Sequence, residues 1–237
     1  MYTFTSKIKL VAIICMIVGL LGIGYSFIST PKTIEEVKEF VQEQELVQDE
    51  LHEGAQVQAH HHDEAHYEHI LHQLGNKPWA GIYVPALFFL LISLGVLAFY
   101  AINRAAQAGW SPILFRVMEG ITGYLPIGGL IFFILLVLSG LHFNHLFIWM
   151  DPEVVKHDEL IQGKQGFLNV PNFLIRAAIY LLGWVAYRFV SRRLSIAQDN
   201  ASDNRPFVKA FKWSAAFLVF FLVTESMMSW DWIMSVD

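Results

Sequence analysis

"IYVPALFFLLISLGVLAFYAI", residues 82–102, runs for twenty-one positions without a charge. At 1.5 Å of rise per residue, about 20 apolar residues in one helix cross the roughly 30 Å hydrocarbon core of a bilayer. Only a helix or a closed barrel satisfies its own backbone in lipid, so a run of this length reads as a transmembrane helix. Four further stretches qualify, at residues 10–28, 124–147, 172–190 and 211–233. Composition agrees, with 55% apolar and only 16% charged residues, a balance that soluble domains rarely show. The predicted fold is therefore all-α, a polytopic transmembrane helix bundle.

The sequence divides into three parts: an N-terminal signal-anchor helix (1–31), an acidic, His-rich loop (32–78) and a transmembrane bundle (79–237). The first run follows Lys7 and Lys9 but is long and closed by no A-x-A site, so it is expected to stay uncleaved. Lys7, Lys9, Arg104, Arg116, Arg188, Arg192, Arg193, Arg205, Lys209 and Lys212 all fall on one side if five spans alternate. By the positive-inside rule that side is the cytoplasm, which leaves the acidic loop and residues 148–171 outside. The expected location is a bacterial cytoplasmic (inner) membrane, with a cytoplasmic N-terminus and a periplasmic His-rich loop.

Eleven of the twenty-one acidic residues lie within residues 33–77, and six of the ten histidines within 60–72, "HHHDEAHYEHILH". Thr33-Ile34-Glu35-Glu36 has the form of a capping box and predicts a helix with a weak apolar stripe of Ile34, Val37, Val41, Val47 and Leu51, ending near Gly54. In helical spacing His62, His66 and His69 would share a face and could ligate Zn²⁺ or Cu²⁺. Neither H-E-x-x-H nor H-x-x-E-H occurs, and a solvated, acid-balanced loop is the reading taken, with metal binding as the alternative. The single Cys15 allows neither an internal disulfide nor a cysteine-held iron–sulfur cluster from this sequence alone.

Ionisable groups at membrane depth cost about 2.5–3.5 kcal/mol each on insertion scales, so each needs a partner, a cavity or an interface. His142 and His145 stand three apart and are expected on one helical face near the outer end of the third span. Glu225 lies about 21 Å along the fifth span and Asp231 about 30 Å, rotated by roughly 120° on a straight helix. Groups that titrate near neutrality are what a proton path requires, so these four are relay candidates, with interface anchoring as the competing role for Asp231. Arg176 snorkels to headgroups or neutralises Glu225 or Asp231. Arg116 and Glu119, spaced i, i+3, are expected to pair on a short helix flat at the cytoplasmic interface, with Glu119 a proton entrance or a surface acid.

Four stretches together resemble one family: "AGWSPILFRVMEGITGYLP" (108–126), "GLHFNHLFIWMDPEVV" (140–155), "LIQGKQGFLNVPNFLIRAAIYLLGW" (160–184) and "SWDWIMSVD" (229–237). They look like the ActF-type membrane subunit of bacterial alternative complex III, a Bacteroidetes-type quinol:cytochrome c oxidoreductase that can also feed an oxidase directly. The resemblance covers about residues 79–237. It implies a bundle related to the polysulfide-reductase-type membrane subunit, without a metal centre of its own, that supplies proton half-channels and is often labelled a second quinone-binding subunit. Matched polar positions are His142, His145, Asp231, Arg116 and Glu119. Implied partners are the quinol-binding membrane subunit, the iron–sulfur subunit, the haem c subunits and a terminal oxidase, with haems and iron–sulfur clusters held by those partners and quinol as the one small molecule. Family chains continue past the M-S-x-D motif into further spans, so the sequence is expected to be truncated at its C-terminal end.

The leading expectation is thus a non-redox membrane subunit of a quinol-oxidising complex, in contact with lipid and not with nucleic acid, in which His142 or Asp231 could meet a quinone carbonyl. No C-x-x-C-H haem site and no Rossmann glycine run is present. Two other classes compete: a proton-coupled or divalent-metal transporter fed by the histidine loop, and a scaffold that only holds other subunits.

Overall fold

The structure, a computed structural model, describes residues 5–51 and 64–236; for 43–51, 64–66, 68, 69, 72 and 153 it describes the backbone only. Every regular element among the described residues is helical. Five segments are long and apolar enough to cross a membrane: Ser6–Ser29, Gln73–Ala105, Pro112–Gly140, Val170–Asp199 and Arg205–Met234. The chain has the make-up of a multi-pass membrane protein. Two compact units are distinguished, Met1–Ile82 and Tyr83–Asp237.

The first unit holds α1 (Ser6–Ser29), α2 (Ile34–Leu51) and the first half of α3 (Glu64–Ala105). No residue of α1 is buried, as expected of a helix whose surroundings would be lipid. At the start of α2 the Thr33 Oγ1 accepts the Glu36 amide at 3.4 Å, one half of the predicted capping box. The other half differs: the Glu36 carboxylate takes the Lys32 amide, at 2.8 Å, instead of that of Thr33. Val37 is fully buried, Phe27 meets Trp79 edge to face, and Lys38 and Lys77 lie over the Tyr67 and Phe40 rings. Residues 64–72 belong to α3, so this half of the histidine stretch is helix rather than the expected loop. His60, His61 and His62 lie outside the described residues, as does Gly54.

Helix α3 continues through Pro78 and Pro85. Each proline removes one i→i−4 donor, which a membrane helix tolerates, and the division between the two units falls between them.

In the second unit α3 is followed by α4 (Pro112–Ile121), a single 3₁₀ turn at Thr122–Tyr124, α5 (Leu125–Gly140), the short α6 (Pro152–His157) and α7 (Glu159–Gly163), α8 (Val170–Asp199) and α9 (Arg205–Ser229). The expected separate helix flat at the interface is not found. Ile121, Thr122, Tyr124 and Leu125 keep right-handed helical dihedrals, and α4 runs on through the 3₁₀ turn into α5 as one apolar stretch. The third span accordingly begins at Pro112 and ends at Gly140, seven residues before the predicted boundary at 147.

Between apolar helices in lipid the hydrophobic effect contributes little, and association rests on close packing and interhelical hydrogen bonds. Helices α8 and α9 show both. A Cβ built on Gly183 would lie 2.3 Å from the Phe220 ring, so glycine is what leaves room for that ring between α8 and α9. On either side, Tyr187 stacks on Phe217 with centroids 3.9 Å apart, and the Trp184 indole donates to Thr224 Oγ1 at 3.0 Å. Leu130, Leu182, Val219 and Leu222 point outward, as a lipid-facing surface does.

Gly183→Ala is expected to lower thermal stability in detergent by about 1–3 kcal/mol through overpacking. Gly95→Ala, in open space on α3, is expected to leave stability unchanged or raise it by up to about 1 kcal/mol. Equal losses from the two would contradict this packing.

Candidate functional site

Charged groups gather at the two ends of the second unit. The first end lies where α8 begins. Asn169 caps that helix by accepting the Asn172 amide at 3.0 Å, with Pro171 in the first turn, where its missing N–H is harmless. Arg176 follows within the second turn. Its Nε and Nη2 donate to the two oxygens of Asp231 at 2.9 and 2.6 Å, a bidentate pair, and its Nη1 donates to the Phe167 carbonyl at 2.9 Å. The guanidinium also lies 3.9 Å over the Phe167 ring. Tyr180, one turn along α8, donates to Asp231 Oδ2 at 3.3 Å.

Asp231 is fully buried because α9 ends in a π turn, Trp230–Met234. Within this widened turn the consecutive residues Asp231 and Trp232 are both buried. Trp232 then packs against Phe132 at 4.8 Å and Trp184 at 5.8 Å, and its carbonyl accepts the Tyr83 hydroxyl at 2.8 Å. Beside this nest Ile148, Trp149, Lys164, Phe167, Trp230 and Met234 help wall an open pocket of about 660 Å³.

The second end lies where α3 and α8 finish. Arg116 Nη1 donates to Glu119 Oε2 at 2.9 Å, the i, i+3 pair that the sequence predicts. Arg192 of α8 donates to the same oxygen, and Arg116 also reaches Asp199. Glu119 is buried, and its other oxygen, Oε1, has no hydrogen-bond partner among the described residues.

Between the ends a polar seam runs along the inner face of α8. Tyr180 bonds Asp231, Trp184 bonds Thr224, and the Tyr187 hydroxyl shares a 2.8 Å hydrogen bond with Ser214 Oγ. Ser191 and Ser195 continue the same buried face at helical spacing. The residues that form this seam were not singled out from the sequence, because nothing in the spacing of Tyr, Trp and Ser at i, i+4, i+7 separates them from an ordinary core stripe.

The sequence candidates divide accordingly. Arg176 and Asp231 meet, and so do Arg116 and Glu119. His142 and His145 do not share a helical face, because α5 stops first. The Phe143 amide bonds the Leu138 carbonyl and the His142 amide bonds that of Ser139, the two bonds of a Schellman stop, with His142 at the left-handed position, φ 61°. His142 is exposed, whereas His145 Nδ1 lies 3.7 Å from Asp151 Oδ2. Nor can Asp231 serve a quinone carbonyl in this arrangement, since both oxygens are taken and the residue is closed to solvent. Glu225, half-buried on α9, has no hydrogen bond or ion pair among the described residues and joins neither end. Of the metal alternative, His62 lies outside the described residues together with the side chains of His66 and His69; among the described residues no group of three possible ligands gathers. No protein-family model matches the chain, and no curated protein matches it either.

His142→Gly removes the imidazole but suits the left-handed turn, and is expected to keep or raise the melting temperature; His142→Val is expected to lose about 1–2 kcal/mol. At the other end Glu119→Ala, which strips two guanidiniums of their shared buried acceptor, is expected to cost about 1–3 kcal/mol. Asp199→Asn, with a side chain 58% exposed, is expected to cost less than about 1 kcal/mol. Thermal unfolding of the four variants in one detergent compares them directly.

Proposed function

We propose that the chain is a non-redox membrane subunit of a quinol-oxidising respiratory complex of the alternative complex III type, in which it contributes a proton path and anchors neighbouring subunits. The observation that carries this reading is where the four family-like stretches come together. "SWDWIMSVD", "LIQGKQGFLNVPNFLIRAAIYLLGW" and "GLHFNHLFIWMDPEVV" supply Asp231, Arg176, Tyr180 and Trp149 to one end, and "AGWSPILFRVMEGITGYLP" supplies Arg116 and Glu119 to the other. The seam of hydroxyl and indole groups lies between them.

A relay needs groups that release and regain a proton, and Glu225 and the open oxygen of Glu119 suit that task better than the clamped Asp231. A quinol ring would sit in the aromatic pocket of Trp149, Phe167 and Trp230 rather than on His142. Electrons would travel through haem and iron–sulfur partners, in a bacterial inner membrane with the arginine-rich helix ends facing the cytoplasm.

Purification of the tagged chain from its native membrane in mild detergent is the test. Co-purifying haem c absorbance and an iron–sulfur electron paramagnetic resonance signal are expected; a chain that purifies alone, free of both, would overturn the proposal. In the isolated complex Glu225→Gln is expected to slow proton release coupled to quinol oxidation. Unchanged release from an intact complex would reduce the role of this chain to anchoring.

A further inference from the structure

The end of the bundle that holds Glu119 contains a second feature that the proton reading does not use. Arg104, in the last turn of α3, is 6% exposed. Its Nε donates to the Tyr100 hydroxyl at 3.2 Å and its Nη1 to the Gln198 Oε1 at 3.0 Å, while the guanidinium rests 4.3 Å over the Phe115 ring. All of these partners are neutral. No carboxylate pairs with Arg104 among the described residues, because Glu119 is taken by Arg116 and Arg192, and Asp199 by Arg116. Three guanidiniums thus stand against two carboxylates, and the positive charge left over belongs to the most deeply buried of the three.

A buried charge with neutral partners alone is costly unless an anion completes it. Arg104 lines a pocket of about 310 Å³ whose walls also include Asn103, Ala108, Arg116, Ser195 and Phe207, together with the Asp199 carboxylate, which Arg116 neutralises. Its place in the fold narrows the choice of anion. The pocket opens where α3 ends, α4 begins, α8 ends and α9 begins, the level at which a bilayer presents its headgroups to helices of this length. Arg193, Arg205 and Lys209 lie near the same ends of α8 and α9, Arg205 paired with Asp203, and the excess of positive charge attracts anionic lipid. The lining combines polar groups for a phosphodiester and its glycerol hydroxyls with the apolar Phe115, Pro112 and Phe207.

The geometry points to a binding site for a phosphate group, supplied by the headgroup of an anionic phospholipid, with Arg104 as the buried counter-charge. The phosphate oxygens accept from the guanidinium; the glycerol end meets Asn103 and Ser195; the acyl chains leave along the outer faces of the helices. This inference is independent of the respiratory reading, since any membrane role of the chain would accommodate it.

The full chain, exchanged into detergent and followed by native mass spectrometry, is titrated with phosphatidylglycerol, with phosphatidylcholine and with inorganic phosphate. One phosphatidylglycerol is expected to bind in preference to phosphatidylcholine and to resist millimolar phosphate. Arg104→Gln is expected to weaken it by about tenfold or more, the worth of a charge-assisted hydrogen bond. Because Arg104 also holds Tyr100 and Gln198, a second variant, Ala108→Trp, fills the pocket and leaves Arg104 in place; it is expected to lose the lipid with an unchanged melting temperature. Equal phosphatidylglycerol binding by the wild type and both variants would overturn the site. Displacement of the lipid by millimolar phosphate would overturn the lipid source and leave a free-phosphate site.

Discussion

The bidentate bond between Arg176 and Asp231 is the interaction on which the rest of this bundle depends. A guanidinium and a carboxylate taken out of water each carry a penalty of several kcal/mol, which only close geometry and further hydrogen bonds offset. Here both conditions hold: two N–H···O bonds join the pair, Tyr180 adds a third donor, and the Phe167 carbonyl takes the remaining guanidinium edge. Meeting them sets the register of α8 against α9. The π turn at Trp230–Met234 holds both Asp231 and Trp232 inside. Once Trp232 is inside, Phe132, Trp184 and Tyr83 close around it, and α3 is tied to the end of α9 through the Tyr83 hydroxyl.

The two ends of the unit solve the same electrostatic problem differently. At the Asp231 end one acid and one base cancel inside a dry aromatic shell. At the Glu119 end the groups are half in the interface, with Arg116 and Arg192 sharing one carboxylate and Arg104 left with neutral partners. The first arrangement holds helices together, and its two charged groups are spent on each other. The second keeps, among the described residues, an unpartnered carboxylate oxygen and a guanidinium with neutral partners only, and it is there that the proposed proton entry and anion site lie.

The helices were legible in the sequence because a charge-free run of about twenty residues has few other fates. The end of the third span was not: Leu141, Phe143, Leu146 and Phe147 carry apolar residues past the stop, and the glycine there, Gly140, closes the helix two residues before the left-handed position instead of filling it. His142 takes the left-handed cap position that glycine usually fills, so a pair of histidines three apart looked like one helical face. The flat interfacial helix was inferred from the glycine and proline of Gly109 to Pro112, which do open a helix, but nothing around Thr122 to Tyr124 ends it. The Arg116–Glu119 pair followed from local spacing, whereas Arg192 and Asp199, 73 and 83 residues from their partners, belong to contacts that spacing cannot reveal. The straight-helix rotation that separated Glu225 from Asp231 could not anticipate a π turn.

A double-mutant cycle on Arg176 and Asp231, read by unfolding in detergent, tests the dependence of the bundle on this pair. Arg176→Leu and Asp231→Leu should each cost about 3–5 kcal/mol, because each leaves a buried charge alone, while the double variant should lose less than either single one. A double variant that loses the sum of the two single losses would show that the residues act independently, and would contradict this account of the fold.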